Sequence, residues 1–299
     1  MGREREPALL ITRLSKKKIK MKSMSKGFKC FLGGVLASLV FFVVSSASAQ
    51  QAEVPKVANK PSQPVASEHP LMPVIRWAER ERPRVVAEIN DYTAIMTKQE
   101  NINGEIQEAQ VMELKFRQEP FSVYLKFRYP KKINGQEAIY VRGQNDNKLI
   151  AHGVGVERAF GTQRLDPEGF IAMRGNKYPI TDVGVLNLVD KLLEVGRRDV
   201  KYGECDVNYY DKGIMVDDRE CTLIEVVHPV PRKNFQFHVA RIYVDKELNL
   251  PIRYESYDWP KKEGETPMLI EAYTYQKLRI NVGLTDKDFD PKNPAYNYP

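Results

Sequence analysis

Apolar and polar residues alternate with a period of two through much of this chain. In Gln110 to Gln118 the residues Met112, Leu114 and Phe116 fall on one side, and Glu113, Lys115 and Arg117 on the other. Phe121, Val123, Leu125 and Phe127 repeat the pattern against Ser122, Tyr124, Lys126 and Arg128. This is the pattern of half-buried antiparallel strands, with one face on a core and one toward solvent. Asp91 to Thr97 alternates upstream and leads to Asn103-Gly104, a hairpin turn signal. Ala138 to Gly143 and Lys148 to His152 add two shorter runs around a polar turn at Gln144 to Asn147, giving a five-strand meander. A second meander follows in Cys221 to His228, Phe235 to Val244, Pro251 to Trp259 and Met268 to Ile280, preceded by a run from Cys205 to Tyr210. These runs are rich in Val, Ile, Thr, Tyr and Phe and separated by turn residues.

Two segments carry helical spacing instead. Leu71, Val74, Ile75, Ala78, Val85, Val86 and Ile89 form one apolar face, and Pro83 is expected to kink or split that helix by removing a backbone donor. Val185, Leu188, Val189, Leu192 and Leu193 form the face of a second helix, with Thr181 as its expected N-cap and Gly196-Arg197-Arg198 near its end. Between the first meander and this helix, Gly153 to Pro179 is irregular and holds five glycines; so long a loop is usually functional or mobile. The order helix, meander, helix, meander describes an α+β domain over residues 70–299. A single highly curved antiparallel sheet would carry the helices on its concave side.

Charge changes the picture less than the bulk value suggests. The chain is +7 overall, but its first 29 residues hold ten Lys or Arg against two Glu, so the remainder is close to −1 and a nucleic-acid partner loses its main support. The basic run, the apolar stretch Cys30 to Val44 and Ala47-Ser48-Ala49 together read as an export signal over residues 1–49, cleaved near Ala49/Gln50, with Met21 or Met24 as alternative starts. An uncleaved anchor is the competing reading, although the apolar stretch is shorter than the roughly 20 residues a span needs. Residues 50–69, rich in Pro, Ala, Ser and Gln, read as a flexible tether. A periplasmic or secreted location follows. Cys205 and Cys221 then remain; placed symmetrically about Gly213 they could form a disulfide, with two buried hydrophobes as the bland alternative and a catalytic thiol as a third.

Candidate chemistry is sparse. His228 and His238 lie on adjacent expected strands, but their spacing is no metal signature, and Asp286 to Asp290 fails as a calcium loop because Pro291 and Asn297 stand where Gly and Glu are required. No Gly-x-Ser-x-Gly, His-Glu-x-x-His or phosphate-binding glycine loop occurs, Gly153-Val154-Gly155 lacks the rest of a dinucleotide fingerprint, and Phe289 is expected to plug an end of the sheet. No catalytic residue, metal or cofactor is assigned. The aromatic residues are more informative: Phe116, Phe127, Tyr140, Phe235, Phe237, Tyr243, Tyr254 and Tyr273 fall on alternating positions, together with Phe121 and Tyr275. That face either packs wholly against the helices or remains partly uncovered and holds a lipid-like ligand.

The segments PFSVYLKF (Pro120 to Phe127), RGNKYPITDVG (Arg174 to Gly184), VVHPVPRKNFQFHVARIYVD (Val226 to Asp245), LPIRYESYDWP (Leu250 to Pro260) and LTDKDFDP (Leu284 to Pro291) resemble an exported bacterial family, domain of unknown function 1571, over roughly residues 75 to 298. More distantly, the architecture is similar to the lipoprotein carriers of the LolA and LolB type and to the RseB stress sensor. The resemblance implies a half-barrel of about eleven antiparallel strands with an apolar cavity that accepts acyl chains. The function expected is a non-catalytic envelope protein that binds a lipid or an acylated protein, with the Gly153 to Pro179 loop and the first helix as a lid. An interaction or sensor module with a filled core and an envelope protein partner is the alternative, and a hydrolase the third; membrane contact would be transient or through an uncleaved signal.

Overall fold

The computed structural model describes residues 68–262 and 264–299. The expected export signal and the tether as far as residue 67 lie outside the described residues.

The first meander forms β1 (Asp91–Ile102), the two-residue β2 (Glu105–Ile106), β3 (Gln110–Arg117), β4 (Ser122–Tyr129), β5 (Glu137–Val141), β6 (Leu149–His152) and β7 (Gln163–Leu165). The second forms β8 (Asp206–Tyr210), β9 (Met215–Val216), β10 (Arg219–Val227), β11 (Val239–Asp245), β12 (Pro251–Tyr257) and β13 (Leu269–Ile280). All lie in one open, curved sheet whose main path runs β7-β6-β5-β4-β3-β1-β13-β12-β11-β10-β8, eleven strands with antiparallel neighbours throughout. The two meanders join where β1 and β13, each 12 residues long, pair from Tyr92↔Ile280 to Glu100↔Glu271.

Among the described residues three α-helices accompany the sheet: α1 (Met72–Glu88), the short α2 (Phe170–Met173) and α3 (Val185–Asp199). Helix α1 buries Val74, Ile75, Ala78 and Val85 together with Glu81, and α3 buries Val185, Val189 and Leu193 at successive turns and Asp199 at its end. Helix α1 is not split at Pro83 but runs on through it as one element. Pro83 and Glu79, whose carbonyl loses its donor, are both exposed, so water can take the freed carbonyl. Thr181 does not cap α3: it lies in a 3-10 turn, and the N-cap is Gly184 at φ +136°. A Cβ at Gly184 would meet the Phe116 ring at 2.7 Å, so this position needs both the backbone freedom and the bare α-carbon of glycine. The first orphan amide of α3, Val185 N–H, donates to Tyr92 Oη at 3.1 Å. Gly196 sits where a Cβ would press on Ile75 Cγ1 at 3.2 Å, which lets the two helices approach closely.

The sheet face opposite the helices is also covered in part. A 3-10 helix over Asp286–Phe289, closed by reciprocal bonds between Thr285 and Asp288, drops Phe289 onto Tyr124, Ile139 and Val141. Tyr296 stacks on Tyr124 at 4.1 Å, and the Tyr298 hydroxyl donates to the Ile150 carbonyl at 3.2 Å. Phe289 therefore covers the outer face of β4 and β5 instead of closing an end of the sheet.

The expected disulfide is absent: Cys205 and Cys221 are free and buried. The turn between β8 and β10 is not a simple one about Gly213, because β9 forms its own hairpin with β10 around Asp217 and Asp218, pairing Val216 with Arg219. The β8–β10 register then pairs Leu223 with Tyr210 and Val227 with Asp206. This places Cys221 and Cys205 beyond opposite ends of the pairing, roughly 20 Å apart along the strands where a bridge needs Cα atoms within about 7 Å. Burial pushes the Cys205 thiol up to about 12 and that of Cys221 up to about 11, so both stay protonated.

A cavity with a polar floor between sheet and helices

The inner face divides into a filled end and a hollow one. At the filled end, Tyr92, Phe116, Phe121 and Tyr140 pack ring on ring, Tyr92 and Phe116 stacked at 4.7 Å, beneath the start of α3 and the end of α1. A second cluster packs α1 and α3 onto β10 to β12 through Ile224, Val226, Ala240 and Ile242. Between them lies a cavity of about 1080 Å³. Its sheet wall includes Met96, Met112, Leu125, Phe127, Leu149 and Tyr275; its helix wall includes Ile75, Ala78, Leu188 and Leu192; its rim is the loop from Gly153 to Pro179. The volume stands at the upper end of the usual range for pockets that enclose small ligands.

Alternation explains why the wall is apolar. Strands β1, β3 and β4 send Met96, Met112 and Leu125 inward at even or odd positions set by one continuous register, Met96↔Met112 and Leu114↔Leu125. On β5 and β6 the inward positions alternate between large and small residues, Tyr140 and Leu149 with Ala138 and Ala151, and the two alanines stand directly opposite each other. That pair of alanines widens the hollow where larger side chains would fill it.

The same alternation carries charge into the interior. On β1 the inward series Tyr92, Ala94, Met96 continues to Lys98 and Glu100, and both line the cavity. Glu100 stands directly opposite Glu271 of β13, both carboxylates buried at 4% and 6% exposure. Like charges facing across strands repel, and each is compensated separately. Glu100 accepts from Tyr273 Oη at 2.6 Å, from Lys177 N–H at 3.1 Å and from Lys98 Nζ at 3.2 Å. Glu271 meets Lys177 Nζ at 2.7 Å and accepts from Tyr178 Oη at 3.4 Å. Lys98 Nζ also bonds Asn176 Oδ1. Burial, the largest influence, pulls the Lys98 ammonium below its ordinary range and pushes the hydroxyls of Tyr273 and Tyr178 above theirs. Three consecutive residues of the rim loop, Asn176 to Tyr178, are thus tied to the floor of the cavity.

Of the aromatic candidates, Phe127, Phe237, Tyr254 and Tyr273 line the cavity. Phe116 and Tyr140 belong to the filled end. Phe235 stacks on His228 at 3.9 Å, away from the hollow. Tyr243 lies on the outer face, its hydroxyl donating to Glu255 at 2.9 Å with Arg253 over its ring. His228 and His238 do approach, but through the backbone: His238 Nδ1 pairs with the His228 carbonyl at 2.8 Å and His228 Nδ1 with the Phe237 carbonyl at 3.1 Å. Among the described residues no group of three or more His, Cys, Asp or Glu is placed to hold a metal, and no helix is long and apolar enough to cross a membrane. The residues that sequence reasoning missed are the alanine pair and the Lys98, Glu100 and Glu271 group. The signal for the latter was present, since charges at positions 98 and 100 continue the buried parity of β1.

The chain resembles several solved structures at low similarity. A DUF1329 family protein from Desulfovibrio piger is 17% identical with a TM-score of 0.35, the match covering 74% of this chain and 98% of that one. A putative outer membrane lipoprotein-sorting protein domain from Vibrio parahaemolyticus is 14% identical with a TM-score of 0.34, covering 71% and 94%. The lipoprotein LppX of Mycobacterium tuberculosis is 12% identical with a TM-score of 0.40, covering 73% and 100%. No curated protein matches. Residues 89–298, the greater part of the chain and most of the span of roughly 75 to 298 expected from the resemblance, match a family described as "Protein of unknown function (DUF1571)", and the protein belongs to that family.

Proposed function

We propose that this protein is a non-catalytic cell-envelope binder that holds an acyl chain, of a lipid or of an acylated protein, in the cavity between its sheet and helices. The observation that carries this reading is the hollow itself: about 1080 Å³, walled by Met, Leu, Ile and Phe side chains in a domain whose other end is tightly packed. Each methylene moved from water into such a wall contributes about 0.8 kcal/mol. The basic and apolar N-terminal stretch supports export, so the binding would occur in the periplasm or outside the cell. The rim loop supports an acylated or membrane-held source for the chain. Val156, Phe160, Phe170 and Ile171 are 66 to 87% exposed there, Phe160 and Ile171 at the cavity itself. Exposed apolar side chains gathered at one edge mark a contact surface.

The test is extraction of the purified mature protein with organic solvent and mass spectrometry of the extract, alongside titration with the neutral apolar fluorophore N-phenylnaphthylamine. Co-extracted acyl lipid, or saturable fluorophore binding relieved by an acyl ester, is the expected result. A protein that is lipid-free and leaves the fluorophore in water would overturn the proposal and favour the alternative in which the exposed rim serves a protein partner alone.

A further inference from the structure

The polar floor of the cavity restricts the ligand further, and this inference rests on the acyl-binding reading. Two buried carboxylates, Glu100 and Glu271, face each other across β1 and β13 on an otherwise apolar wall. Placing such a pair inside a sheet is costly unless every lone pair meets a donor. Part of the compensation comes from the sheet, from Lys98 and Tyr273. The rest comes from the rim loop: Lys177 brings its ammonium to within 2.7 Å of Glu271 as an ion pair and gives its backbone N–H to Glu100, and Tyr178 gives its hydroxyl to Glu271, which leaves Glu271 Oε2 without a hydrogen-bond donor.

Everything the loop offers this pair is therefore a hydrogen-bond donor. The four charges, Lys98 and Lys177 against Glu100 and Glu271, also balance. A head group that reached the floor would compete with the loop, and could do so only by supplying donors of its own. A carboxylate or other anion would instead bring a third negative charge against two. Gln110, opposite Lys98 across β1 and β3, points the same way: its buried Oε1 is an acceptor without a partner in the protein, and the residue lines the cavity.

We propose that the ligand carries a donor-bearing head group, an ammonium or a hydroxyl, that takes the places of Lys177 and Tyr178 on the Glu100–Glu271 pair, so that filling the cavity releases residues 176–178 from the sheet. The acyl chain then lies against Met96, Met112 and Leu125, and the rim loop is a latch whose bonds the correct ligand exchanges for its own.

The experiment displaces bound N-phenylnaphthylamine from the mature protein with four ligands of one chain length: dodecylamine, monolaurin, laurate and methyl laurate. Hydrogen exchange over residues 174–180 is followed in parallel. Dodecylamine or monolaurin is expected to displace the fluorophore at about tenfold lower concentration than laurate or the ester, the difference of one charge-assisted hydrogen bond. Exchange over 174–180 should rise only with those donor ligands. The amine alone succeeding identifies an ammonium, and both succeeding identifies hydroxyl recognition as sufficient. In the double variant Glu100→Gln, Glu271→Gln the preference should vanish, the four ligands converging. Equal displacement by all four, preference for laurate, or a preference unchanged in the double variant overturns the head-group inference while leaving acyl binding in place. Failure of the fluorophore to bind removes both.

Discussion

The sharpest quantitative consequence concerns the alanine pair in the cavity wall. Ala138 and Ala151 face each other across β5 and β6, each 9% exposed, with Leu125 of β4 opposite Ala138 and Gln163 of β7 opposite Ala151. Ala138→Leu adds an isopropyl group that must enter the hollow, since the residue's neighbours on the sheet already hold their places. Its three carbons occupy the room of about three methylenes of a ligand, and at about 0.8 kcal/mol each the loss for a chain long enough to reach this wall is about 2.4 kcal/mol, or about 60-fold in affinity. A chain too short to reach it should lose almost nothing. Isothermal titration with a series of monoacylglycerols separates the two cases. In the unmodified protein each added pair of methylenes should tighten binding by about 1.6 kcal/mol until the cavity is full. In the variant that rise should stop about three methylenes earlier. Thermal unfolding serves as the control, because filling space in an underpacked wall should leave the midpoint unchanged or raise it. A loss of affinity that is uniform across chain lengths, or no loss at all, would refute the placement of the chain against β5 and β6.

Three further outcomes test the scaffold. Gly184→Ala combines a positive-φ backbone with a methyl group 2.7 Å from the Phe116 ring at a buried position, and should cost about 2–4 kcal/mol in chemical denaturation, more than the same change at the exposed Gly143, where a methyl group meets nothing. Asp91→Ala removes the carboxylate that accepts the Val282, Gly283 and Leu284 amides at 2.7 to 3.2 Å, leaving three donors without it; a loss of about 2–4 kcal/mol is expected, whereas an effect within about 0.5 kcal/mol would mean water replaces it freely. His228 is buried and held neutral, its imidazole pulled below the ordinary value of about 6.5 chiefly by desolvation. The unfolded chain therefore binds that proton first. The stability it contributes is present above about pH 6.5 and is lost as the pH falls through the folded-state value. Asp199, 3.6 Å away, is pushed upward by burial and works in the opposite sense at lower pH. Urea midpoints between about pH 5 and 8 should fall on the acid side for the native protein and flatten in His228→Gln.

The strands were legible because inner and outer faces of this sheet meet different surroundings. Met112, Leu114 and Phe116 lie under helices, while Glu113, Lys115 and Arg117 meet ion-pair partners or water, and a period of two records that difference. β7 escaped notice because its three residues, Gln163, Arg164 and Leu165, are exposed or half-exposed and have no second face to contrast. The disulfide inference failed on a single turn. Symmetry about Gly213 holds only if one loop joins the strands, and the two-residue β9 inserts a second reversal at Asp217, which takes φ +57°. The aromatic face illustrates a deeper limit. Phe116 and Phe127 stand on neighbouring strands with the same parity, yet one is packed under α3 and the other borders a cavity. Periodicity records which side a residue faces, and not how far away the next layer stands.

That distance is held by specific contacts. A hollow of about 1080 Å³ forfeits packing on all its walls, so the helices would gain by settling onto the sheet unless something opposed it. The opposition comes from the ends. At the closed end the stacked rings of Tyr92 and Phe116 act as a spacer, with Tyr92 Oη bonded to the first amide of α3 and Phe116 wedged against Gly184. Along α1, Trp77 donates to Asn249 Oδ1 at 3.1 Å and Arg84 to the Leu248 carbonyl at 2.8 Å, tying the helix to the β11–β12 turn as well as to the strands it packs on. The rim loop is fixed at Glu100 and Glu271 by donors alone. Two of these three supports are ring packing and bonds remote from the hollow, which a ligand has no chemistry to disturb. The third is a set of exchangeable hydrogen bonds on the cavity floor. The support that a head group can replace is therefore the one that governs access, and the spacer and the turn contacts keep the cavity in shape while the loop moves.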